Sequence, residues 1–190
     1  FLTEKEDFNY VILMDGDGED RPEELTSLFK KSKENPLKTV TANRIKRSEV
    51  PFFRLLYECH KILTYVFTGK LVKFGNYSCL PRKEASRLVQ EACIWSSFSG
   101  SVTKIIPDRV SVPSIRGRRY FGPTQMSFFK LLVHSFSIIA VFKRSVVARS
   151  ILFLIFYLFF VSSNLTIVTL FPVFIIFIFS LLIFKVSSRE

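Results

Sequence analysis

The sequence predicts an α/β domain followed by an amphipathic helix and a two-helix membrane hairpin, and three observations carry that expectation. A short apolar run, Val11–Met14, reads as a buried strand leading into a turn rich in acids and glycine, after which Pro22, Glu23 and Glu24 open a helix. Helical and strand-like patterns then alternate as far as about Val112. Finally, residues 151–184 are almost wholly apolar, interrupted by Ser162-Ser163-Asn164.

Composition narrows the partners. A chain of 190 residues has room for one modest domain and an appendage. Lys and Arg number 27 against 16 Asp and Glu, a net charge of +11, which suits nucleic acid, an anionic membrane surface or phosphorylated substrates. The 22 phenylalanines gather late in the chain and favour membrane over nucleic acid. Cys59, Cys79 and Cys93 show no C-x-x-C spacing, so they read as reduced packing residues rather than a disulfide or zinc framework. His60 and His134 lack ligand-spaced partners and read as structural. The residues from Phe1 onward do not read as a signal peptide.

The chemistry concentrates in Tyr10–Glu24. Asp15, Asp17, Glu19 and Asp20 crowd the carboxyl end of the first strand, and Gly16 and Gly18 permit a tight turn. In open α/β sheets, ligands bind outside the carboxyl ends of the strands. Clustered carboxylates repel one another unless a divalent cation neutralises them, and an all-oxygen set suits Mg²⁺ or Mn²⁺ bridging to substrate phosphates. A solvated acidic loop is the plain alternative. An EF-hand loop is a poorer match, since it needs a glycine at its sixth position and a closing glutamate. The buried strand before the turn and the basic segments after it favour a metal–diphosphate site.

Asp15-Gly-Asp17-Gly-Glu19-Asp20-Arg-Pro22-Glu23 resembles the D-x-D-x-Q-D-P-P-E signature of family-two glycosyltransferases of the GT-A fold, in the branch that loads sugars onto polyprenyl or dolichyl phosphate. Glu19 stands in place of the usual glutamine. The resemblance implies catalytic roles for Asp15 and Asp17, a metal held by Asp15, Asp17 and Glu19, and a donor–acceptor role for Asp20. In that fold a nucleotide-binding βαβ half precedes the acidic strand, so the resemblance also implies that this chain is a carboxyl-terminal portion.

Further segments extend it. After a helix over Pro22–Lys33, ended by Asn35-Pro36, and a strand over Lys38–Ala42, Arg44 and Arg47 match an R-x-x-R segment on a phosphate-facing loop. Surface charge is the alternative. Gly75–Arg82 is similar to G-D-F-R-L-x-x-R, with Asn76 replacing an acid and Ser78 an arginine. An amide cannot accept a proton as a carboxylate does, which removes a general base from this position. A lipid monophosphate already presents an anionic oxygen, so the departure favours a phosphate acceptor over a sugar hydroxyl; it also fits an inactive homologue. Arg116, Arg119, Gly122 and Thr124 resemble an R-x-x-G-x-S-K segment, with Gln125 where lysine is usual. Guanidinium groups grip phosphate oxygens in a bidentate fashion; a juxtamembrane basic cluster for anionic headgroups is the alternative and is compatible with it, and Arg119 is read as a ligand of substrate phosphate. Arg118 is left open. Gln90–Trp95 lacks the spacing and the arginine of the Q-x-x-R-W motif of processive synthases.

Elsewhere the patterns are structural. Phe52–Thr68 predicts a helix begun by Pro51 and closed by Gly69, its aromatic stripe meant for core or membrane-surface packing. A helix is expected over Glu84–Ala92 and strands over Val102–Ile106 and Arg109–Val112. Residues 123–145 read as a juxtamembrane amphipathic helix, 146–162 and 165–184 as two spans kinked at Pro172, and 185–190 as a tail. Lys143, Arg144 and Arg149 precede the pair while Lys185 and Arg189 follow it, so the positive-inside rule sets both ends in the cytoplasm. The Asn164-Leu-Thr166 sequon sits on too tight a tip to be a strong match.

The expectation is therefore an integral membrane hexosyltransferase, of a bacterial inner membrane, using Mg²⁺ or Mn²⁺. Its partners would be a UDP- or GDP-hexose, a polyprenyl phosphate and the membrane, with no nucleic acid; homo-oligomers stay open. A transferase acting on a sugar hydroxyl and a non-catalytic membrane scaffold are the alternatives.

Overall fold

A computed structural model of the chain describes residues 7–46, 51–122 and 127–187, leaving aside the side chains at 46 and 51–54. Arg47, Thr124 and Gln125, and the side chains of Phe52 and Phe53, thus lie outside the described residues. The strands are β1 (Tyr10–Leu13), β2 (Thr39–Lys46), β3 (Phe74–Pro81) and β4 (Arg109–Ile115), and the helices are α1 (Leu25–Glu34), α2 (Pro51–Thr68), α3 (Arg82–Val89), α4 (Phe98–Ile105), α5 (Phe128–Ala140), α6 (Lys143–Val161) and α7 (Ile167–Ser187). The strands form one mixed sheet in the order β1-β3-β2-β4. β3 runs antiparallel to both β1 and β2, whereas β4 lies parallel to β2. The carboxyl ends of β1, β2 and β4 and the amino end of β3 therefore share one rim.

Period-two alternation covers both faces of the sheet. Val40 and Ala42 of β2 and Tyr77 and Cys79 of β3 pack with Leu28 of α1 on one side. Phe74 and Leu80 of β3 turn the other way, onto Leu88 of α3, Val102 and Ile105 of α4, and Val141 and Phe142 beyond α5. The result is a sheet with helices on both faces.

Several boundaries and two element types differ from expectation. β1 is an edge strand, with Ile12 and Met14 exposed, because it pairs on one side only among the described residues. Arg44 lies within β2 rather than on a loop, since the parallel pairing with β4 continues past it to Lys46. Val102–Ile105 is helical, not a strand, and Ile106 caps it. The helix starts upstream, where the Ser97 hydroxyl accepts the Gly100 N–H at 3.2 Å, and Gly100 admits the Val141 side chain closely. A five-residue window was too short to carry that period. The expected Glu84–Ala92 helix begins at Arg82 and ends at Val89, and Ala92–Trp95 forms a separate 3₁₀ turn. Cys79 and Cys93 are buried and free, but Cys59 is exposed.

The last two helices are long and apolar enough to cross a membrane, and only 11% of the α6 window and 6% of the α7 window is buried, which distinguishes them from core helices. They pair as a hairpin, with the Tyr157 hydroxyl donating to the Thr169 carbonyl at 2.7 Å near the tip. The ends differ from the predicted spans: α6 starts earlier, at Lys143, and α7 continues through Ser187. At the base, Ile139, Ala140, Val146 and Ile183 form a buried cluster with Phe67, Phe136 and Phe179 against it. Arg149 donates to the Val66 carbonyl at 3.1 Å, within the last turn of α2, where a cation is favoured. The base of the hairpin is thereby fastened to the domain.

Candidate functional site

The acidic turn leaves β1 at the shared rim and is folded by its own carboxylates. Asp20 is buried and takes two partners, the Asp15 N–H on one oxygen at 3.0 Å and the Arg44 guanidinium on the other at 3.2 Å. Asp17 accepts the Glu19 N–H at 3.0 Å, which closes a side-chain turn. Asn76, at the start of β3, donates to Asp15 at 3.0 Å. Beneath the turn, the Tyr77 hydroxyl donates to the Arg21 carbonyl at 3.0 Å. Burial first, then the nearby Glu24, Asp20 and Glu23 charges, push the Tyr77 pKa up to about 12.

A second loop, running on from β4, closes over the first. The Gly117 N–H donates to the Glu19 carbonyl at 2.8 Å and the Tyr120 N–H to the Asp17 carbonyl at 2.9 Å, so the loops are laddered together. Ile115 adds an N–H to Glu24 at 2.9 Å. Gly18, with φ +89°, lies against the Arg118 carbonyl and the Tyr120 ring, a conformation and a space that exclude a side chain. This backbone embrace delivers two guanidiniums to the acids. Arg116 pairs with one oxygen of Glu19, and Arg119 donates to the other at 2.8 Å while also pairing with Asp17 at 3.2 Å. Burial alone would raise the Glu19 pKa, but the hydrogen bonds and charges of Arg119 and Arg116 outweigh it and hold the carboxyl below its usual range. Arg119 is shifted up in return, chiefly by its hydrogen bond to Glu19.

The structure brings Asp15, Asp17, Glu19, Asp20, Arg44, Asn76, Arg116 and Arg119 to one rim. Gly122 adopts φ +63° with open space beside it. Among the described residues no group of three or more Asp, Glu, His or Cys side chains could hold a metal ion. Glu19 does not fit as a ligand, because both its oxygens already receive arginines. Asp17 is likewise engaged on both oxygens, by the Glu19 N–H and by Arg119, and Asp15 has one oxygen on Asn76, so the acids as they stand are satisfied by protein groups.

Comparison with known protein families, with curated proteins and with solved structures gives no match. Sequence reasoning missed the bracing of Asp20 by Arg44, and the pairing of Glu19 with both arginines. The only signal for the second was the match in charge between two segments about a hundred residues apart.

Proposed function

We propose that the chain carries the acid- and arginine-lined site of a membrane-bound, inverting glycosyltransferase of the GT-A fold. It would move a hexose from a UDP- or GDP-sugar to a polyprenyl phosphate on the cytoplasmic face. One observation carries this reading: segments near residues 15–20, 44, 76 and 116–119, each resembling a motif of one family, meet at one rim of the sheet. The two long apolar helices fastened beside the domain suit a lipid acceptor.

In this reading Arg119 would leave Asp17 for a substrate phosphate, and Asp15 and Asp17 would then hold Mg²⁺ or Mn²⁺, which would neutralise the charge of a diphosphate leaving group. Glu19 keeps Arg116 and Arg119 aligned, and their planar donors suit phosphate oxygens. Asn76 steadies Asp15 and needs no basicity, because a phosphate acceptor arrives already ionised.

A non-catalytic scaffold is the second reading, and the neutralisation of Glu19 and Asp17 by arginines favours it. The experiment offers the full-length protein, in detergent, radiolabelled nucleotide sugars with Mg²⁺ or Mn²⁺ and undecaprenyl phosphate, beside an Asp17→Asn control. Label entering the lipid phase, and lost in the control, is the expected result. Metal-dependent nucleotide binding with no lipid product across a broad donor panel would sink the lipid-phosphate reading; transfer to a free sugar would point to a hydroxyl acceptor.

A further inference from the structure

Helix α2 is built inside out. Thr64 and Thr68, exposed by only 2% and 4%, face the protein, whereas Leu55 and Ile62 are each 62% exposed. Leu55, Cys59, Ile62 and Val66 follow helical spacing along one outward strip, with exposed Leu63 and Tyr65 flanking it. An amphipathic helix in water puts its apolar stripe against the core, so a stripe turned outward calls for a partner that is not water.

The position of the helix says which partner. The end of α2 is joined to the hairpin base by Arg149 on the Val66 carbonyl and by Phe67 against Phe179, whose ring centroids lie 4.5 Å apart. The outward stripe is therefore continuous with the place where bare apolar helices begin. Lys70 and Lys73, exposed just past the end of α2, supply cations of the kind an anionic bilayer surface attracts, while Lys61 on the helix is paired with Glu58 at 2.7 Å.

We infer that the outward face of α2 lies in the headgroup–acyl boundary of the bilayer, as a second membrane contact beside the hairpin. This inference rests on the membrane reading of the hairpin, and its test separates the two. Cys59 is exposed on the stripe while Cys79 and Cys93 are buried, so the native chain accepts a nitroxide there. The full chain is reconstituted in phosphatidylcholine–phosphatidylglycerol vesicles, and collisions with oxygen, which partitions into lipid, are compared with those of a water-soluble nickel chelate. In a Cys59→Ser background, Phe156→Cys reports the hairpin and Leu37→Cys, at an exposed position after α1, reports water. The expected result is oxygen-dominated collision at Cys59 as at Phe156→Cys, reversed at Leu37→Cys. Nickel-dominated collision at Cys59 with a lipid-buried Phe156→Cys would overturn the inference while sparing the hairpin. Strong spin–spin broadening at Cys59 would overturn it in favour of a second copy of the chain. Water-like behaviour at Phe156→Cys would remove both the inference and the membrane reading.

Discussion

Gly117 packs so tightly on Gly18 that a β-carbon at Gly117 would overlap the Gly18 carbonyl oxygen. The contact sets how closely the arginine loop approaches the acidic turn. Gly117→Ala must part the loops, and overpacking of this kind costs about 1–3 kcal/mol. Gly16, with nothing within 4 Å of its would-be β-carbon and no positive φ, is the control. Thermal unfolding should show a loss for Gly117→Ala and almost none for Gly16→Ala, and pyrophosphate binding should weaken only in the former.

Asp20 braces the acidic turn from below. Removing one partner of a buried ion pair leaves the other charge uncompensated, at about 3–5 kcal/mol. Asp20→Ala should fall in or below that range, since the Arg44 side chain keeps 18% exposure and part of its hydration. Denaturant unfolding of the single and double variants measures the coupling. An Asp20→Ala/Arg44→Ala chain as unstable as the two single losses summed would refute the brace.

Acid should open the clasp. Glu19 has a folded pKa below its ordinary 4.5, so its stabilising contribution is complete above that value and is lost as pH falls through the depressed folded value. Stability measured across this acidic window should decline in the native chain, and Glu19→Gln should flatten that part of the profile. An unchanged slope in Glu19→Gln would assign the acid sensitivity to other carboxyls.

Alkali acts on the floor of the site with the opposite sign. Tyr77 is pushed up to about 12, so its neutral form stabilises the fold below the ordinary value of 10.0, and that contribution is lost as pH rises through about 12. Alkaline titration of tyrosinate absorbance should show a late component that Tyr77→Phe removes.

The local rules read well where a residue's neighbours in sequence decide its structure. Pro22 opened a helical turn, Gly69 with φ +71° closed α2, and the helical stripe of residues 52–68 became one helix. They failed at Val102–Ile106, where the deciding groups were Ser97 upstream and Val141 across the core. The site divided in the same way. The acids at 15–20 and the arginines at 116–119 were visible as chemistry, but their pairing depends on a parallel β2–β4 register that no local pattern encodes. Arg44 read as a loop residue for the same reason, because its strand is extended by a partner from far along the chain.

From Ser150 to Phe184 the hairpin contains no Asp, Glu, Lys or Arg, and its turn at 162–166 is made of serines, asparagine, leucine and threonine. Thr166 and Thr169 exchange hydrogen bonds there, with the Thr166 N–H donating to Thr169 Oγ1 at 2.8 Å, which seals the exposed start of α7. Such a loop would enter a bilayer tip first without dragging an ionised group through hydrocarbon. In the proposed topology, with both ends cytoplasmic, the cationic ends would stay where they were synthesised and only a few uncharged residues would emerge on the far side, so biogenesis would demand little from a translocation channel.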